Sequence, residues 1–126
     1  MSSIVYDAGV LVAADRSDRR CWAKHRARLE MGLVPLVPAP VVVQVSRSSR
    51  QAQLRRFLAG CLVAPLGEDE AHEAGALFGK AKRDDVVDAV VVAMAARHKA
   101  LIVTGDADDI RRLVQASGRE IGIVAI

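Results

Sequence analysis

An α/β layered fold around a parallel sheet is what this sequence predicts, on two observations. Short β-rich runs alternate with longer helical segments along the chain, the pattern of crossover connections between parallel strands. The apolar runs also lack strict polar alternation, as in strands covered on both faces. The runs that read as strands are residues 3–6, 33–37, 61–66, 101–104 and 121–124. Pro35 and Pro65 weaken the second and third as strands or move them to an edge, because proline cannot donate to a ladder.

Helical segments are expected over residues 8–14, 19–31, 40–47, 49–59, 68–81, 85–99 and 108–117. Pro40 suits a first helical turn. Glu68, Asp69 and Glu70 complement the positive end of a helix dipole, and Arg97, His98 and Lys99 the negative end. Asp84 reads as the N-cap of the 85–99 helix, and Gly118 as the left-handed residue after the last helix. With no low-complexity tract, linker or repeat, residues 1–126 are expected to form one domain.

Composition narrows the function classes. Hydrophobic residues make up 52% of the chain and aromatics only 3%, which argues against a stacking platform for single-stranded nucleic acid. A net charge of +3 and a pI near 9.2 lean mildly towards polyanionic partners. Cys21 and Cys61 lack metal-site or disulfide spacing and read as reduced, part-buried thiols. No signal core or bilayer-length apolar stretch is apparent, so a soluble, cytoplasmic protein away from membranes is expected.

Acids at the edges of apolar runs are the chemically informative feature. Asp7 ends Ile4-Val5-Tyr6, Asp106 follows Leu101-Ile102-Val103-Thr104-Gly105, and Asp88 sits within Val86-Val87-Asp88-Ala89-Val90. Asp85 shares a helix face with Asp88 at i, i+3. Each has a plain structural alternative. Asp7 could cap the helix from Ala8, and Asp106 could be a turn residue with Asp108 or Asp109 capping the last helix. Asp88 is harder to explain away, since its neighbours are apolar and no basic residue lies within a turn. In an open α/β sheet the acids after strands fall on the rim where ligands bind. Carboxylates gathered there repel one another unless a cation relieves them, and Mg²⁺ or Mn²⁺ prefers such oxygen ligands. Metal-assisted phosphodiester hydrolysis follows naturally, one ion activating water and another stabilising the leaving oxygen.

The opening Tyr6-Asp7-Ala8-Gly9, the pair Asp85-Val86-Val87-Asp88-Ala89 and the run Val103-Thr104-Gly105-Asp106-Ala107-Asp108-Asp109 together resemble the PIN-domain nucleases, in particular the VapC-type ribonuclease toxins of toxin–antitoxin modules. The resemblance spans nearly the whole chain. It implies a Rossmann-like three-layer α/β/α sandwich with a central parallel sheet of about five strands, a Mg²⁺ or Mn²⁺ cofactor and endoribonuclease activity. By position, Asp7, Asp88 and Asp106 match the family's first, third and fourth acids and would hold the metal. Asp109 or Asp108 matches an additional acid, and Thr104 supplies a supporting hydroxyl. A homodimer, an RNA substrate and a small cognate antitoxin are implied as partners.

One position departs from the family. Its second acid is a glutamate in the helix after the second strand, where this chain offers Gln44. An amide can ligate a cation or donate to a phosphate but brings no charge. Weaker binding of a second ion, or a PIN-fold protein that binds RNA or protein without cutting, are the alternatives this opens. Arg47, placed one helical turn beyond Gln44, is the expected phosphate contact. The other basic runs, including that around Trp22, read as solvated helix faces. His25, His72 and His98 have no nucleophile partner and read as surface or helix-end residues. A haloacid-dehalogenase-like phosphatase would need an acid where Gly9 stands, and a nucleotide-binding module would need a Gly-rich phosphate loop.

Overall fold

All the expected strands and helices form in the computed structural model, which describes residues 3–81 and 85–126. The strands are β1 (Ser3–Tyr6), β2 (Leu36–Pro38), β3 (Leu62–Ala64), β4 (Ala100–Thr104) and β5 (Ile123–Ala125). The helices are α1 (Ala8–Asp15), α2 (Arg19–Glu30), α3 (Ala39–Val45), α4 (Ala52–Ala59), α5 (Glu68–Ala81), α6 (Val86–His98) and α7 (Ala107–Ser117). Among the described residues, no helix is long and apolar enough to cross a membrane.

The strands form one parallel sheet in the order β3-β2-β1-β4-β5. The chain works outward from β1 to β3, then returns past β1 to β4 and β5. Right-handed crossovers therefore put α1 to α4 on one face and α5 to α7 on the other, giving three layers. The order reverses between β1 and β4, whose partners include Tyr6 and Val103. The carboxyl ends of those two strands flank the switch point, where open α/β sheets bind ligands.

Proline sets where β2 and β3 begin and end. β2 starts only at Leu36, after Pro35, whose carbonyl accepts from the Leu62 N–H at 2.8 Å. β2 lies inside the sheet, so Pro35 does not make it an edge strand. β3 is an outer strand that stops before Pro65, leaving the side chains of Leu62 and Val63 exposed. Opposite it, β5 is the other outer strand.

Burial follows the layers. α6 is buried around most of its circumference through Ala89, Val90, Val91, Val92, Met94 and Ala95, because it is packed between the sheet and neighbouring helices. Asp85 caps it, accepting from the Val87 N–H at 2.9 Å and the Asp88 N–H at 3.2 Å. Asp84, the cap expected from sequence, lies outside the described residues. Cys21 is buried and Cys61 half-buried, both free.

His25 overturns the surface reading of the histidines. It is 3% exposed, stacked on Phe57 with ring centroids 3.9 Å apart, and its Nδ1 lies 2.9 Å from the Tyr6 hydroxyl. Burial pushes its pKa down from 6.5 to about 4, the Arg28 charge adding to the effect. Arg28 donates to the same Tyr6 hydroxyl at 3.1 Å. Trp22, half-buried, donates its indole N–H to the Ala14 carbonyl at 3.0 Å and meets Phe57 edge-on. A polar link thus ties α2 to β1 immediately before Asp7. His72 and His98 are exposed, as expected.

Candidate active site

Asp7 follows β1 and is the N-cap of α1, so the capping alternative and a site role coincide in one residue. It is 3% exposed, and both of its oxygens are engaged. Oδ1 accepts from the Val10 N–H at 3.3 Å. Oδ2 accepts from the Thr104 hydroxyl. The Gly105 N–H reaches both, at 3.3 and 3.2 Å. Burial raises the Asp7 pKa, while the bonds from Thr104, Gly105 and Val10 oppose the rise.

Thr104 is fully buried at the end of β4 and joins two acids through one hydroxyl. Its Oγ1 donates to Asp7 and accepts from the Asp106 N–H at 2.8 Å. Asp106 is itself the cap of α7, accepting from the Asp109 N–H at 3.3 Å, so the helix starts at Ala107 and neither Asp108 nor Asp109 caps it. Asp109 lies 3.8 Å from Arg112, and Asp108 pairs with Arg111 at 2.9 Å on the exposed side.

Backbone closeness makes the Asp7 cradle possible. A Cβ on Gly9 would stand 2.8 Å from the Gly105 Cα and 3.0 Å from its nitrogen. Only glycine at position 9 lets α1 come near enough to the β4–α7 turn for the Gly105 N–H to reach Asp7. The sequence gave no periodic sign of this pair; only the register between β1 and β4 reveals it.

Asp88, half-buried in the first turn of α6, carries the strongest electrostatic signature. Its pKa is pushed up to about 7 by burial first, then by the charges of Asp85, Asp7, Asp106 and Asp109. The acids from β1, α6 and β4–α7 therefore feel one another across a common rim. Among the described residues, however, no group of three or more His, Cys, Asp or Glu side chains is arranged to hold a metal ion. Asp7, Asp85 and Asp106 are instead turned onto N–H and O–H donors. The donor chemistry, crowded hard oxygens with one carboxyl held near neutrality, suits a divalent cation; the cage is not preformed.

Gln44 lies near the C-terminal end of α3, and its carbonyl oxygen is buried without a hydrogen-bond partner. The Arg47 expectation fails in its premise. α3 ends at Val45, so Arg47 is not one helical turn beyond Gln44. It lies in the following loop, exposed, with Nη1 donating to the Ser46 carbonyl at 2.9 Å and its backbone N–H to the Gln51 Oε1 at 2.6 Å. The apolar run that promised a longer helix ends where that Gln51 side chain ties down the loop.

Comparison with known proteins bears directly on this geometry. A family model for the PIN domain matches residues 4–115. The chain belongs to the PIN-domain family. Solved structures share the fold. VapBC2 from Rickettsia felis, bound to a DNA fragment from its promoter, superposes with a TM-score of 0.76 at 12% identity over 98% of both chains. FitAcB from Neisseria gonorrhoeae gives 0.65 at 14% identity over 96% of both chains. A toxin–antitoxin complex from Klebsiella pneumoniae gives 0.62 at 18% identity, over 85% of this chain and 89% of that one. No curated protein sequence matches closely. For a PIN domain, the acids at the switch point stand where the sequence resemblance expects the active site.

Proposed function

We propose that this PIN domain is a metal-dependent endoribonuclease, the toxin of a toxin–antitoxin pair. PIN domains are generally nucleases that use divalent metals. The observation that carries the reading is the raised pKa of Asp88 among Asp85, Asp7, Asp106 and Asp109 at the β1/β4 switch point. Asp7, Asp88 and Asp106 would hold the ion, with Gln44 as a neutral donor and Asp109 supporting its waters. A bound Mg²⁺ or Mn²⁺ supplies a Lewis acid for the phosphodiester and makes water a better nucleophile. The chain's own part is positional. Thr104 and Gly105 fix both oxygens of Asp7, and Thr104 couples that carboxylate to the Asp106 backbone. Arg47, free of carboxylate partners, offers a phosphate contact from its loop. The fold likeness to toxin–antitoxin complexes supports a small antitoxin as partner, and the family resemblance supports a homodimer and a cytoplasmic setting.

Cleavage of varied RNAs with Mg²⁺ or Mn²⁺ tests this, alongside Asp7→Asn and Asp88→Asn. Cleavage that needs the ion and disappears in both variants supports the enzyme. Gln44, with its unpartnered oxygen in place of an acid, favours one second reading: a PIN fold that binds without cutting. Mn²⁺ and RNA binding with no cleavage of any RNA would replace the first reading by that one.

A further inference from the structure

Beside the acids lies a cleft of about 590 Å³ whose chemistry differs sharply from theirs. Its walls are Pro40, Val43, Pro65, Leu66 and Val87, with Gln44 the one polar side chain among the lining residues. No charged residue lines it, so it is ill-suited to a phosphate. Its size falls within the roughly 300–1,000 Å³ of small-ligand sites. Two residues join it to the candidate active site. Val87 adjoins Asp88 and donates its N–H to Asp85, and Gln44 stands where the family carries an acid. Val43, at 76% exposure, is left bare at the cleft's rim.

The unpartnered Gln44 oxygen argues for what belongs there. A buried polar atom without a partner calls for an explanation, and one is a ligand that supplies the missing donor. Apolar walls with an amide at one side suit a flat ring with a polar edge, as in sites that hold a base between apolar side chains and read it by hydrogen bonds. A hydrocarbon side chain would fill the walls but leave the amide unanswered. We propose that the cleft formed by Pro40, Val43, Pro65, Leu66 and Val87, with the Gln44 amide, is a nucleobase subsite for the nucleotide adjoining the scissile phosphate. The proposal rests on the ribonuclease reading and adds to it a source of base preference. Gln44 then serves substrate selection where the family's acid would add charge.

Tetranucleotide RNAs test it, one intact and four each lacking one base, with binding to Asp88→Asn measured by fluorescence anisotropy. Removing the base at one position should weaken binding at least about five-fold, the low end of what stacking contributes, and elsewhere less than about two-fold. Val43→Asp, fold-safe because of its exposure, and Leu66→Asp should erase that position's effect while leaving the affinity for the abasic RNA within about two-fold. Gln44→Leu should level the preference among bases there. Equal binding whichever base is missing overturns the subsite and leaves the ribonuclease reading intact. Base dependence that survives both Val43→Asp and Leu66→Asp also overturns it. No RNA binding, joined to no cleavage by the parent chain, removes both.

Discussion

Replacing Gly9 by alanine should destabilise the protein, although alanine is ordinarily the better helix residue by about 1 kcal/mol. The new Cβ would lie 2.8 Å from the Gly105 Cα, where ordinary carbon contacts begin near 3.5 Å. Relief requires the β4–α7 turn to retreat by roughly 0.7 Å, the difference between those distances. The Gly105 N–H already sits 3.2 Å from Asp7 Oδ2, so a retreat of that size takes it past hydrogen-bond range. Losing a bond to a buried carboxylate, or keeping it with the clash, amounts to about 2–4 kcal/mol. Urea unfolding followed by circular dichroism measures this, with Gly75→Ala as the contrast. Gly75 lies in α5 with nothing within 4 Å of its would-be Cβ, so that substitution should stabilise by about 0.5–1 kcal/mol. A Gly9→Ala midpoint equal to or above the parent's would refute the idea that this approach holds the Asp7 cradle together.

Three further outcomes are expected. The folded Asp88 carboxyl keeps its proton up to about 7, while the unfolded one releases it near 3.8, so its stabilising share is complete below 3.8 and lost as pH rises through 7. Asp88→Asn should therefore stabilise the ion-free protein by about 2–4 kcal/mol at pH 8 and much less at pH 4; equal gains at both pH values in urea titrations would contradict this. His25 has the opposite sign. Its stability share is complete above 6.5 and is lost as pH falls towards 4, by about 3 kcal/mol, because only the unfolded ring protonates in that window. NMR should show the His25 ring untitrated until pH approaches 4. Gln44→Glu should tighten Mn²⁺ binding by calorimetry, since it adds a carboxylate to the rim; unchanged affinity would place Gln44 outside the ion's reach.

The layered architecture was legible because parallel strands and crossover helices leave period and capping marks. Asp7 and Asp106 were legible as rim acids because each directly follows a strand candidate. Element ends were less so, since Leu33-Val34-Pro35 reads as strand though only Leu36 onward pairs with neighbours. His25 was misread by taking α2 as a charged surface helix, although Cys21 and His25, at i and i+4, are its buried face. That spacing was available as a signal. Arg47 was misplaced because nothing in the apolar run preceding it announces that Gln51 ties the loop down two residues after the helix ends. The Gly9–Gly105 approach depends on strands far apart in sequence, so no local pattern could disclose it.

The two outer strands, β3 and β5, are three residues each, and Pro65 follows β3 directly. Rows that short expose too few free amides and carbonyls for another chain to extend the sheet. Whatever this PIN domain recruits must therefore be gripped by its side chains, and specificity of assembly would then evolve by surface substitution with the backbone unchanged.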